Sequence, residues 1–161
     1  MKLGIACLAS CCLLVASAQL GYVAADGRDK MIDKAKLVGN WKITSGMLGD
    51  KKVSADDLKN TSAMITKDSI TAKDAEVTVT MEYTLDTAAK PAIAKFTITK
   101  FDSKNPLPKE SPVKIGARAQ GIVELDGDEL RICYNPDGGP APKSFDVKGT
   151  KNHMFVLKRV K

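Results

Sequence analysis

Nine consecutive residues, Val77-Thr-Val-Thr-Met-Glu-Tyr-Thr-Leu85, carry an apolar side chain at every odd position and a polar one at every even position. An extended chain points successive side chains to opposite faces, so this run predicts a half-buried antiparallel strand. The pattern returns downstream. Ala94, Phe96 and Ile98 alternate with Lys95, Thr97 and Thr99, and Leu130, Ile132 and Tyr134 alternate with Arg131 and Cys133. Val38 to Thr44, Ala63 to Thr66, Ser69 to Ala72, Ile115 to Leu125, Ser144 to Val147 and His153 to Arg159 read as further strands.

The connections have turn chemistry. Asp126-Gly127 separates two apolar-patterned runs and predicts a two-residue hairpin loop, because both residues tolerate positive φ. Lys67-Asp68 separates two short strands. Pro106, Pro108 and Pro112 mark one long loop, and Asn135 to Pro142 marks another. Ser54 is placed to cap a short helix, with Asp57 three residues on and Val53 positioned to staple onto Leu58. Short strands at this spacing predict an all-β domain: a single antiparallel β-barrel of about eight strands with one short helix, with a β-sandwich as the competing architecture. The stretch 37–161 is long enough to bury a real core.

The N-terminus has a different character. Met1-Lys2 precedes an uncharged apolar run from Leu3 to Ala18 that ends in Ala16-Ser17-Ala18. A basic start, an apolar middle and a small-residue end define a secretory signal peptide over residues 1–18, with a second cleavage site after Val23-Ala24-Ala25. The apolar run is short for a membrane-spanning helix. Leu8-Ala9-Ser10-Cys11 also fits a lipobox, so acylation at Cys11 is the minority alternative. Residues 19–36 are expected to form a flexible lead-in, with a short helix considered over Asp29 to Lys36. The expected location is therefore secreted or periplasmic.

Removal of that segment takes Cys7, Cys11 and Cys12 and leaves Cys133 alone, which excludes an intramolecular disulfide framework. Cys133 lies within a strand pattern and reads as a buried small hydrophobe rather than a reactive thiol. The charge falls from +6 to +5 with loss of Lys2. The remaining Lys residues are scattered, without the clustered Arg of a nucleic-acid reader, so no nucleic-acid partner is expected. They suit a solvated surface, or loose adhesion to anionic envelope polymers.

Three stretches carry a family resemblance. They are Leu37-Val-Gly-Asn-Trp-Lys-Ile-Thr44 with Asp50-Lys-Lys-Val-Ser-Ala-Asp-Asp-Leu58; Tyr83-Thr-Leu-Asp-Thr-Ala-Ala-Lys-Pro91; and Gly121-Ile-Val-Glu-Leu-Asp-Gly-Asp-Glu-Leu-Arg-Ile-Cys-Tyr134 with the ending Val156-Leu-Lys-Arg159. Together the chain resembles a planctomycete-expanded family of small secreted lipocalin-like proteins of unknown function. The resemblance implies a lipocalin-like barrel and no activity. In the family pattern an Arg-Pro pair precedes the Phe strand after the Pro/Gly loop, whereas this chain reads Pro140-Ala-Pro-Lys-Ser-Phe145. Gly39-Asn40-Trp41 resembles the Gly-x-Trp start of the first lipocalin strand. That likeness implies that Trp41 plugs one end of the barrel with Arg159 over its ring, so Gly39, Trp41 and Arg159 are expected to form a structural closure.

Chemistry-bearing clusters are absent from the sequence pattern. His153 is the only His and reads as a surface or structural residue, since no nucleophile can be assigned beside it. No spacing suggests a metal site or cofactor. Asp126-Gly127-Asp128 lacks the remaining ligands of a calcium loop and reads as a hairpin tip. Tyr83, Phe96, Ile98, Ile132 and Tyr134 fall on the apolar sides of their strands and are the candidate ligand-lining residues. The interior of an eight-stranded barrel is either filled by such side chains or holds one small ligand, and Ala63, Ala94, Ala117, Ala119 and Gly121 suit both cases. Two non-enzymatic readings follow: a barrel binding a small apolar molecule, or an envelope protein- or polymer-interaction module with a filled core. A hydrolase or isomerase built around His153 is the third reading.

Overall fold

The computed structural model describes residues 31–105 and 113–161. The expected signal peptide and the prolines at 106, 108 and 112 lie outside the described residues. Within them the chain forms β1 (Gly39–Leu48), β2 (Lys51–Lys52), α1 (Ala55–Leu58), β3 (Ser62–Ile65), β4 (Ser69–Lys73), β5 (Val77–Asp86), β6 (Ala92–Ser103), β7 (Arg118–Asp126), β8 (Glu129–Asn135) and β9 (His153–Arg159). Every pairing is antiparallel. The strands follow one another around the sheet, and β9 returns to pair with β1. That last pairing closes eight strands into a barrel, with β2 as an extra hairpin arm on β1. The competing sandwich is thereby excluded.

Alternation is kept in phase by two bulges. On β6, Ile98 pairs with Met81 and Lys100 with Thr80, so Thr99 is the extra residue and Phe101 comes to lie opposite Val79. Without that slip Phe101 would share the face of Thr97. On β1, Ile43 pairs with Leu157 and Ser45 with Val156, which leaves Thr44 unpaired and sets Gly46 opposite Phe155. A side chain at Gly46 would meet the Phe155 ring at 2.9 Å, so glycine lets that ring lie against the β1 backbone. Gly121 does the same for Phe96, which would stand 3.2 Å from an added Cβ.

One end of the barrel is plugged. A single 3-10 turn, Lys34–Leu37, is capped by the Asp33 carboxylate, which accepts from Ala35 N. It delivers Leu37 to the core beside Trp41, and Ile32 packs against the same cluster, so ordered packing begins before Leu37. The β3–β4, β5–β6 and β7–β8 turns lie at this end. The opposite end carries the longer connections: β2 with α1, the segment between β6 and β7, and the β8–β9 loop. The Ser54 hydroxyl accepts from Asp57 N at 3.1 Å and caps α1, as the spacing predicts.

Three expectations need correction. Ser144 to Val147 is not a strand. Prolines at 140 and 142 and the turn at Gly149 keep it out of the ladder, and it folds over the outside of the barrel. There Val147, Phe145 and Ala141 pack on Ile122, Cys133, Met154 and Met47. Those four residues form one lateral row across β7, β8, β9 and β1, since Ile122 pairs with Cys133, Cys133 with Met154 and Met154 with Met47. The second correction concerns the hairpin after β7: Asp126 pairs with Glu129, so the two loop residues are Gly127 and Asp128, one position later than expected. Gly127 supplies the positive φ there, at 58°. Third, β7 starts at Arg118 rather than Ile115, because Gly116 turns the chain with φ 85° before the ladder forms.

Candidate ligand cavity

The barrel is not filled. Above the plugged end it holds a partly open cavity of about 450 Å³. That volume lies in the usual range for small-molecule sites. At interior packing density it would hold on the order of 15–20 non-hydrogen atoms. Small residues make the room: Ala63, Ala72, Ala117 and Ala119 all line it. Leu157, Ile70 and Phe96 form its deep part, where they join the closed-end core. Val53 and Leu58 bound it from the α1 side.

The strand register explains why the wall is apolar. Inward positions run Ile43, Gly46 and Leu48 on β1; Ala63 on β3; Ile70 and Ala72 on β4; Val77, Val79 and Met81 on β5. The same holds for Phe96 and Ile98 on β6, Ala119 on β7 and Phe155 on β9. Charged residues reach the cavity only at its rim. Lys73 pairs with Thr78 and Arg118 with Thr97, which are outward register positions. Asp57 and Asp74 are held in local caps: Asp57 accepts from the Ser54 hydroxyl at 2.7 Å, and Asp74 accepts from Glu76 N and Val77 N at 2.7 Å each.

Besides Thr61, whose hydroxyl donates to the Leu58 carbonyl at 2.8 Å, two uncharged polar side chains line the cavity, Tyr134 on β8 and His153 on β9. They are direct partners in the ladder, and the Tyr134 hydroxyl lies 3.4 Å from His153 Nδ1. The Tyr134 ring meets His153 edge-on at 5.4 Å, stacks with Phe155 at 6.3 Å and meets Phe96 edge-on at 6.3 Å. Burial pushes the Tyr134 phenol up to about 12, and the neighbouring Cys133 acts in the same sense. Burial also lowers the His153 pKa below its ordinary 6.5, against the opposing pull of Asp137. At neutral pH the imidazole is therefore uncharged.

Of the candidate lining residues, Phe96, Ile98, Ile132 and Tyr134 do border the cavity. Tyr83 does not. It sits lower on β5, in the closed-end core, where its hydroxyl donates to the Thr66 carbonyl at 3.1 Å and Lys34 lies 4.8 Å from its ring centre. Strand phase put Tyr83 on the correct face, but the level along the barrel axis depends on where the plug ends. His153, expected to be a surface or structural residue, and Phe155 are among the wall residues outside that candidate set. Their signal was present, since His153, Phe155 and Leu157 alternate through β9.

Gly39, Trp41 and Arg159 meet at the plugged end. The Arg159 guanidinium lies over the indole of Trp41 and donates to the carbonyls of Val38, at 3.0 Å, and Lys36. Trp41 Nε1 donates to the Leu37 carbonyl at 2.9 Å. Gly39 takes φ 143°, and a Cβ there would stand 2.9 Å from Arg159 Nη1. Asp128, at the β7–β8 hairpin tip, lies 3.4 Å from Arg159 Nε.

Among the described residues, no group of three or more His, Cys, Asp and Glu comes together, and no helix is long and apolar enough to cross a membrane. Comparison with protein-family models, with curated proteins and with solved structures returns no match to this chain.

Proposed function

We propose that this protein is an exported, non-enzymatic barrel that holds one small apolar molecule. The observation that carries the reading is the cavity: about 450 Å³, partly open, set inside a closed barrel and walled mostly by aliphatic and aromatic side chains. An empty space of that size forfeits dispersion contacts that a well-packed core would keep, and a fitting apolar guest restores them. The open interior favours this reading over the alternative of an envelope interaction module with a filled core.

The proposal includes the resemblance to the planctomycete-expanded family of small secreted lipocalin-like proteins, whose resembling stretches fall on β1, α1, the β5–β6 turn, the β7–β8 hairpin and β9. It also includes export, on the strength of the sequence of residues 1–18.

Native mass spectrometry of the protein purified from its own host tests both parts. An added mass that disappears on denaturation is expected, on a chain beginning at Gln19 or Asp26. An acylated Cys11 would replace the free secreted form with a lipid-anchored one. A bare polypeptide that also fails to take up the neutral apolar dye N-phenyl-1-naphthylamine would remove the ligand-binding reading.

A further inference from the structure

The Tyr134–His153 pair is a polar feature of an otherwise largely apolar cavity. Of the uncharged polar side chains on the cavity, the Thr61 hydroxyl already donates to the Leu58 carbonyl, so the Tyr134–His153 pair is where a bound molecule finds both a donor and an acceptor. The pair is itself only half satisfied. If the Tyr134 O–H donates to Nδ1, the imidazole carries its proton on Nε2, and the pair leaves one donor (Nε2–H) and one acceptor (the phenol oxygen) unused. If Nδ1–H donates to the phenol oxygen, the unused groups are the phenol O–H and the Nε2 lone pair. Either tautomer offers one donor and one acceptor, and neither offers a charge. Among the described residues no polar side-chain atom is buried without a partner, so the unpaired ring nitrogen stays accessible.

We infer that the cavity takes an uncharged apolar molecule bearing a hydroxyl group, with that hydroxyl exchanging hydrogen bonds with Tyr134 and His153. A hydroxyl both donates and accepts, which matches the pair in either tautomer. A carboxylate fits poorly: it only accepts, and the cavity wall offers no inward cation to offset its desolvation. Lys73 and Arg118 sit at the rim in outward register, and Arg159 is committed to Trp41 at the other end. A primary amine would bring a charge with no inward carboxylate to meet it. This inference rests on the ligand-binding reading above and narrows it to one class of molecule.

The test uses displacement of N-phenyl-1-naphthylamine from the protein by three compounds of matched chain length: decan-1-ol, its methyl ether and decanoate. The alcohol is expected to bind several-fold more tightly than the ether, which has lost the donor, and at least tenfold more tightly than decanoate. Tyr134→Phe removes one hydroxyl and keeps the ring stacking, so it should bring alcohol and ether to within about twofold. His153→Gln provides a second variant should the first disturb folding. Decanoate binding as tightly as the alcohol, or an alcohol-to-ether ratio unchanged in both variants, would overturn the inference while leaving an apolar-binding barrel intact. Failure of the dye and all three compounds to bind would overturn the ligand-binding reading itself, and this inference with it.

Discussion

The Arg159 guanidinium lies 4.3 Å from the centre of the Trp41 ring, while the two residues are also direct partners across β1 and β9. The contact therefore joins the first and last barrel strands at the level where the interior is sealed. Trp41 is wholly buried beneath it. The guanidinium also donates to the carbonyls of Val38 and Lys36, which ties the 3-10 turn to the seam.

Replacing Arg159 with Ala should cost about 2–4 kcal/mol, from the lost cation–π contact and the carbonyls left without a donor. Lys at this position should recover less than half, because an ammonium cannot stack on the ring and reach both carbonyls with a planar fork. Denaturant titration of both variants measures this. A loss under about 0.5 kcal/mol for the Ala variant would mean that the seam is held by the β1–β9 ladder alone.

Cys133 should be inert in the folded protein. It is wholly buried under the β8–β9 loop, and burial pushes its thiol up to about 11. Alkylation by iodoacetamide at neutral pH, mapped by peptide mass, should be at least ~100-fold slower at Cys133 than after denaturation. Rapid labelling without unfolding would show that the loop lifts away from the outer row of Ile122, Cys133 and Met154.

Enlarging Ala119 to Leu should fill part of the cavity opposite Phe96. Uptake of N-phenyl-1-naphthylamine should weaken at least ~5-fold, with a stability change within about 2 kcal/mol in either direction. Unchanged dye uptake in a folded variant would place the dye somewhere other than this cavity.

The pH dependence of stability should carry a signature of His153. Its folded pKa lies below the ordinary 6.5 because burial disfavours the imidazolium. Between those two values the unfolded chain binds more protons than the folded one, so stability falls as pH is lowered through 6.5 toward the folded value. Above 6.5 the contribution is flat. Denaturant midpoints measured from pH 7.5 to 5 should drop, and His153→Gln should flatten that drop. Equal slopes in the two proteins would assign the pH effect to other groups.

Period-two alternation made most of this barrel readable in advance, because each strand has one wet and one dry face. It fails where both faces are dry. Ile122 and Cys133 occupy outward positions, and Phe145 and Val147 in the segment that covers them have strand spacing although that segment never enters the ladder. A consecutive apolar pair, Ile122-Val123, was the available sign that β7 is covered on both sides. The plug at Gly39, Trp41 and Arg159 was implied by the family resemblance rather than by alternation. The emptiness of the interior was not, because Ala and Gly at inward positions leave a void or fit a taper according to how the opposite strands pack.

The seam has a consequence for how the molecule can be attached. Val160 N donates to the Asn40 carbonyl, so the chain enters β1 and leaves β9 side by side at the sealed end. A tag, fusion partner or surface tether joined at Lys161 is therefore carried on the side away from the cavity mouth. A copy immobilised through Lys161 would present its opening to bulk solution.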